Sequence, residues 1–432
     1  MSFPVLIILT LFGAGLALFV SNSFKLRFIL FAILVFLSLS RLPLGAVDPG
    51  SMSLRIPLVL LLLFSSYRTL PDTIHRMYRN RLLGWSTLWF LYVFLSWLYM
   101  HGTRVFLFEH IGNYVFFILT VSMLERAKEK QLISLLILVG ISQIPGVLMG
   151  IPAMRAPLMK LGFYWGTVYH QRSAQAGVYL LPVLLLWLDR IRNKGLLSYI
   201  PVVSLIIILF LVVITTGART PTMSFGLTLI YWLRRNRTYM IILALITLSG
   251  IYLAPNITTE ETMERYMRAY GAFATGQLEE ASNVEFRYEH MILGIEAFSR
   301  SPILGHGHRS WLRILGEDKG IIGYNMAPHN ELIRLLVEYG LIGFLFFTMF
   351  IISCNRKPEL SGRGAIIPSA RYTFMIMTLS MVLLNFFHNS LFTRHFFFIL
   401  GATAGLYLNR RNRNNRHTPL SMPVQAERTQ KK

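Results

Sequence analysis

Long, largely apolar runs without a charged residue recur along this chain, among them Val5 to Val20, Leu197 to Ile214 and Leu341 to Ile352. A helix needs about 20 mostly apolar residues to cross the hydrocarbon core, and fewer when flanking side chains snorkel. Amides in lipid have no water to bond, so spanning runs close their hydrogen bonds internally as helices. A transmembrane barrel would instead show short alternating strands, which the sequence lacks. Of the 432 residues, 54% are hydrophobic and 14% charged, against roughly 25% charged in soluble domains. The predicted fold class is all-α: a polytopic bundle of about 12–13 transmembrane helices with a large, partly helical outer loop.

Candidate spans are 3–20, 27–40, 54–67, 85–100, 104–124, 132–150, 173–188, 197–214, 221–232, 239–254, 333–353, 372–387 and 395–408. Residues 1–20 lack a basic leader and a small-residue cleavage site, so they read as a retained first span. The net charge of +22, from 42 basic and 20 acidic residues, would suggest nucleic acid in a soluble protein. Here the basic residues sit in short loops between apolar runs, the pattern of cytoplasmic loops, and nucleic-acid binding is set aside. Arg76, Arg79 and Arg81 mark one such loop; Arg126, Lys128 and Lys130 mark the next. Arg190, Arg192 and Lys194, then Arg234, Arg235 and Arg237, continue the series, and the tail from Arg410 to Arg416 closes it. Alternation then places residues 151–172, the turn 215–220 and a loop of about residues 255–330 on the outer face. The organisation is a bundle over 1–254, an outer-face loop domain over 255–330, further membrane helices over 331–409 and a basic cytoplasmic tail over 410–432, which is expected to lack structure. The long loop holds ten of the twenty acidic residues and predicts helices over 260–270 and 284–299. The single cysteine, Cys354, excludes an internal disulfide framework.

Three outer-face residues carry the strongest chemical signal. Arg219 ends an apolar span among small residues (Thr216-Gly217-Ala218-Arg219-Thr220-Pro221), and ionisable groups at such places point to function, although a snorkelling arginine has the same pattern. Arg287 lies in the loop between Glu285 and Glu289, where a salt bridge is the plain alternative. Arg155, Lys160, His170 and Arg172 add positive charge outside, and several outer cations suggest an anionic ligand such as phosphate, which arginine's planar fork binds bidentately. His329, in Pro328-His329-Asn330, precedes a span and so lies at a helix N-terminus. The helix dipole there favours a neutral ring, as a general base requires; a capping histidine is the plain reading. Asn330 and His306 join Arg155, Lys160 and Arg172 as further substrate-binding candidates. His306 and His308 have a metal-like spacing but no accompanying cysteine or carboxylate triad, so a glycine-rich structural turn is favoured and no metal site is assigned.

In order, Thr216 to Thr220, then Phe286-Arg287 through Pro302-Ile303-Leu304-Gly305-His306-Gly307, then His329-Asn330-Glu331-Leu332 through Glu338-Tyr339-Gly340-Leu341-Ile342-Gly343 resemble the O-antigen ligase/polymerase superfamily of bacterial envelope glycosyltransferases. The resemblance covers roughly residues 200–405; the N-terminal half matches in hydrophobicity alone. It implies an inner-membrane enzyme that moves a glycan from undecaprenyl pyrophosphate to an acceptor sugar on the periplasmic side, without cofactor or metal. The acceptor is lipid A–core in ligases and a growing glycan in polymerases, while related members glycosylate pilin-type proteins. It makes Arg219 and Arg287 the pyrophosphate-binding arginines and His329 the catalytic residue. Gly-Ala-Arg replaces the Gly-Ser-Arg of many relatives, which removes a hydroxyl and keeps the cation. Ligation to lipid A–core is the expected activity, with repeat-unit polymerisation the alternative within the enzyme class. A lipid-linked glycan flippase or transporter is the alternative outside it, and would favour repeats and broken helices at mid-membrane depth.

Overall fold

The computed structural model describes residues 19–39, 55–99, 104–149, 169–191, 195–216, 219–233, 282–308, 330–356, 366–384 and 394–417, with isolated positions between them. These residues are helical, with no strand among them. The helices are α1 (Phe24–Leu39), α2 (Arg55–Ser65), α3 (Leu70–Arg79), α4 (Leu82–Tyr99), α5 (Arg104–Glu125), α6 (Glu129–Leu148) and α7 (Tyr169–Arg190). There follow α8 (Ile200–Thr215), α9 (Arg219–Leu233), α10 (Ser282–Arg300), α11 (Glu331–Cys354), α12 (Ile366–Leu384) and α13 (Arg394–His417). The first expected span and the loop helix over 260–270 fall almost wholly outside the described residues.

Among the described residues, α4, α6 and α11 are each long and apolar enough to cross a membrane, and α8 and the 395–409 part of α13 are shorter apolar helices. Their outward faces are apolar too: Leu91, Leu95 and Leu98 on α4, Ile137, Ile141 and Ile144 on α6, and Leu341, Leu345 and Ile352 on α11 are exposed. Water would penalise such faces, whereas lipid does not. The chain is an all-α, multi-pass membrane protein.

Two apolar cores organise the bundle. One joins α1, α4, α5, α6, α11, α12 and α13 around Phe31, Trp89, Phe117, Phe350 and Phe396. The other joins α7, α8 and α9 around Leu185, Ile206 and Phe225. The direction of several helices follows from side-chain pairs. Ser224 on α9 donates to the Ser380 carbonyl of α12 at 3.0 Å, and Tyr231 stacks with Tyr372 at 6.3 Å, so α9 and α12 are antiparallel. Arg371 on α12 donates to the Arg356 carbonyl just after α11 and lies 4.9 Å over the Tyr407 ring of α13. Asn409 donates to the carbonyls of Leu124 and Ala127 at 2.9 Å each, and Arg76 pairs with the buried Glu125. One end of the bundle is therefore basic, and the start of α9 lies with the start of α11 at the other.

Two expectations need correction. The basic loop after the third span is not simply a loop, since α3 is a short amphipathic helix that buries Thr73 and Met77. The tail was expected to lose structure at Asn409, but α13 continues through the arginines to His417.

α5 and α13 run parallel and meet at Gly401 and Gly405, a Gly-x-x-x-Gly pair. A methyl on Gly401 would stand 2.8 Å from Thr120 Cβ and 3.0 Å from the Phe117 carbonyl oxygen; one on Gly405 would stand 2.9 Å from the Val121 carbonyl oxygen. Gly→Ala inside a helix ordinarily stabilises by up to about 1 kcal/mol, while overpacking costs about 1–3 kcal/mol. The sign should thus depend on position. Thermal unfolding in detergent should show Gly401→Ala and Gly405→Ala lowering the midpoint, and Gly226→Ala, with no atom near its new methyl, leaving it level or higher.

Candidate functional site

α11 is broken by a glycine. Gly340 adopts φ 61° and ψ −167°, a region open essentially to glycine alone. The break frees two amides and two carbonyls that a continuous helix would pair as Leu341 with Val337 and Ile342 with Glu338. The turn after α10 takes all four. Leu341 donates to the Pro302 carbonyl (2.9 Å) and Ile342 to that of Ile303 (3.2 Å), while Val337 accepts from His306 and Glu338 from Gly307, both at 2.8 Å. Gly305 (φ 74°) and Gly340 let the two backbones touch: a methyl on Gly340 would lie 2.3 Å from the Ile303 oxygen, and one on Gly305 would lie 2.5 Å from the Gly340 nitrogen.

α4 supports this junction from beneath. The Tyr92 hydroxyl lies 2.9 Å from the Leu304 carbonyl and 3.0 Å from that of Tyr339, and Ser96 accepts from the His308 amide at 2.8 Å. Gly343 makes room for the Tyr92 ring. The second and third resemblance blocks are thus one packed unit. His306, a substrate-binding candidate, has Nε2 2.6 Å from the Ala297 carbonyl near the end of α10, which is what a structural glycine-rich turn needs.

A buried ionic row runs from the start of α11 to its break. Arg334 lies 3.2 Å from Glu331 and 3.4 Å from Glu338, and His308 Nδ1 lies 3.9 Å from Glu338 and bonds the Tyr339 hydroxyl. Glu331 and Glu338 are 1% and 2% exposed, and buried charges of this kind hold only when partnered. The His110 ring of α5 meets that of His308 at 4.6 Å. Glu331, Arg334 and Glu338 do not stand out as site candidates in the sequence, yet the Glu-x-x-Arg-x-x-x-Glu spacing puts all three charges on one helix face. From His110 an apolar groove between α4 and α5 runs past Trp97, Phe94 and Phe90 to Tyr114. No cluster of three or more metal-ligating side chains occurs among the described residues.

Arg219 opens α9, Arg287 lies in α10 and Arg172 in the first turn of α7. Asn330 caps α11, its Oδ1 accepting from the amides of Leu332 and Ile333 at 3.1 Å each. Its carboxamide oxygen is thereby occupied by the helix that it caps. His329 immediately precedes this cap and, with Arg155 and Lys160, lies outside the described residues. The helix pairs of the bundle put the starts of α9 and α11 at one end, and α10 packs on α11 where Gly294 meets Ile333 and Trp311.

Residues 167–348 match the O-Antigen ligase family. The matched stretch contains Arg219, Arg287, the docked turn and the break in α11, so this part of the chain is similar to the O-antigen ligase family of membrane proteins. No curated protein and no solved structure matches the chain.

A substitution at the junction should register in both stability and transfer. Gly340→Ala and Gly305→Ala each combine a disfavoured backbone with a backbone clash, an expected loss of about 2–4 kcal/mol. Both should lower the thermal midpoint and glycan transfer together, while Gly84→Ala, whose methyl would meet nothing, should change neither.

Proposed function

We propose that this chain is a metal-independent, inverting glycosyltransferase. It moves a glycan from undecaprenyl pyrophosphate to an acceptor sugar on the periplasmic side of the inner membrane, with lipid A–core the acceptor. The observation that carries the reading is the shared end: Arg219 opens α9, and the capped start of α11, just after His329, lies at the same end of the bundle. Basic residues at the opposite end support a cytoplasmic assignment for that end.

The donor's pyrophosphate is a good leaving group, so two tasks remain. The acceptor hydroxyl oxygen attacks the anomeric carbon as the bond from that carbon to the pyrophosphate oxygen breaks. His329 takes the hydroxyl proton. Arg219 and Arg287 stabilise the charge that collects on the departing lipid pyrophosphate, with Arg155, Lys160 and Arg172 adding positive field. Asn330, which caps α11 just after His329, is the further substrate contact; His306 is engaged by the Ala297 carbonyl and serves the turn. The groove between α4 and α5 offers the donor's polyprenyl chain an apolar surface facing lipid. The break in α11 is the feature a transporter would share. Its freed carbonyls at Val337 and Glu338 already accept from the docked turn, which favours a structural use over ion coordination.

In transfer from a lipid-pyrophosphate donor, Arg219→Ala and Arg287→Ala should each lose about 10²–10³ in rate. Lysine should restore little, because it keeps the charge without the fork. His329→Gln should be inactive and excess chelator should leave the wild type unaffected. Normal transfer by His329→Gln would remove it as the base, and normal transfer by the alanine variants would make the arginines membrane anchors.

Cells lacking the chain should separate the two acceptor readings. Loss of every capped core in the lipopolysaccharide ladder supports ligation; persistence of core bearing one repeat unit supports polymerisation. In cells making the protein, a cysteine at Gly276 should react with an impermeant reagent and one at Asn414 should not; the reverse would invert the proposed orientation.

A further inference from the structure

The basic end of the bundle carries a feature that glycan transfer does not use. Arg27, near the start of α1, is 5% exposed, yet no carboxylate partners it among the described residues. Its Nη1 donates to the Thr69 hydroxyl at 2.8 Å, its guanidinium carbon lies 5.7 Å from the Phe24 ring centre, and its Nε has no hydrogen-bond partner among the described residues. Arg126, between α5 and α6, reaches the same residue: Nη2 donates to the Thr69 carbonyl at 3.3 Å, and its buried Nε also lacks a hydrogen-bond partner among the described residues. Among the described residues the carboxylate that pairs with either arginine is Asp72, 3.4 Å from Arg126 and 63% exposed, while the buried Glu125 next to Arg126 is paired with Arg76. Two guanidiniums converge on one residue, and the carboxylate that pairs with Arg126 is solvated. Like charges this close, one of them almost fully buried, call for a further anion.

The setting says which kind. Thr69 precedes α3, the short amphipathic helix, and an amphipathic helix with a basic face suits the headgroup boundary of a bilayer. Tyr67 and Tyr78, at either end of α3, are exposed, as aromatic residues at that depth commonly are. Arg68, also exposed, bonds the Tyr67 hydroxyl at 2.6 Å and adds a third cation. Paired guanidiniums match phosphate oxygens in both charge and fork geometry.

We propose that Arg27 and Arg126 form a binding site for a phosphate group, supplied by an anionic phospholipid headgroup of the adjoining leaflet. The site lies at the opposite end of the bundle from the start of α9, so it serves anchoring of α1 and α3 and not glycan transfer. The bound headgroup would tie α1, α3 and the α5–α6 junction together through Thr69.

The test takes the full-length protein, purified in an uncharged detergent and stripped of lipid, and follows its thermal midpoint on adding one of three probes. These are phosphatidylglycerol, diacylglycerol with the same acyl chains, and sodium phosphate. A ligand that binds only the folded state raises the midpoint in proportion to its occupancy. Phosphatidylglycerol should raise it saturably by several degrees, with diacylglycerol and phosphate giving only a small part of that rise. Arg27→Gln and Arg126→Gln should each lose most of the increment, whereas Lys25→Gln, an exposed cation two residues before Arg27, should keep it. Arg126 is partly exposed, so its variant remains informative if Arg27→Gln does not fold. An equal rise with diacylglycerol, or an unchanged increment in Arg126→Gln, would overturn the site. A full rise with sodium phosphate alone would overturn the lipid as its source.

Discussion

The arrangement of the candidate site depends on an exchange of backbone hydrogen bonds at Gly340. A continuous α11 would satisfy its own amides and carbonyls and leave the turn after α10 with nothing to bind. Breaking the helix costs two internal bonds and gains four to the turn. In a low-dielectric setting an unmade backbone bond costs several kcal/mol, so turn and helix each need the other. α10, and with it the segment bearing Arg287, is thereby fixed against the helix that follows His329. Tyr92 and Ser96 extend the dependence to α4, in a part of the chain that the family match does not reach.

The ionic row along the first half of α11 belongs to the same design. Glu331 follows the Asn330 cap directly, and Arg334 ties it to Glu338 beside the break. His308, on the docked turn, reaches Glu338 and Tyr339. Backbone exchange sets the register of turn against helix, and the charged row holds that register at the side-chain level. Both devices meet within one turn of Gly340.

Much of this was legible in the sequence, and the remainder was hidden for identifiable reasons. Apolar runs locate helices because lipid leaves the backbone no other choice, and the span expected at 333–353 is α11 at Glu331–Cys354. Helical spacing in the acidic loop gave 284–299 for what is α10 at Ser282–Arg300. The glycine-rich reading of Gly305 to His308 agrees with the positive φ of Gly305 and Gly307 and with the turn's backbone contacts. The docking of that turn on α11 was not legible, because its bonds join main-chain atoms and glycine is their only mark. α3 escaped because its apolar positions are few and a basic loop was the simpler account of Arg76 and Arg79. The tail was misjudged on composition: its arginines repel, yet a helix already started in the bundle continues through them. Gly401 and Gly405 form a Gly-x-x-x-Gly pair that a reading of apolar runs alone passes over. Of the site itself, residue types and order were readable, whereas the ionic row needed the fold to show that Glu331, Arg334, Glu338 and His308 meet.

The parallel pairing of α5 with α13 also bears on how the molecule is made. Helices enter the membrane in chain order, and α5 is synthesised long before α13. Until the last span arrives, the small-residue face that Gly401 and Gly405 will cover on Phe117, Thr120 and Val121 stays open. The helices that carry the candidate site, α7 to α11, are inserted between these two partners. The final span then acts as a closing stave, and it is bound at its end by Asn409 to the carbonyls of Leu124 and Ala127. A chain stopped short of residue 394 would contain all three resemblance blocks and still lack the helix that fastens its first half to its last.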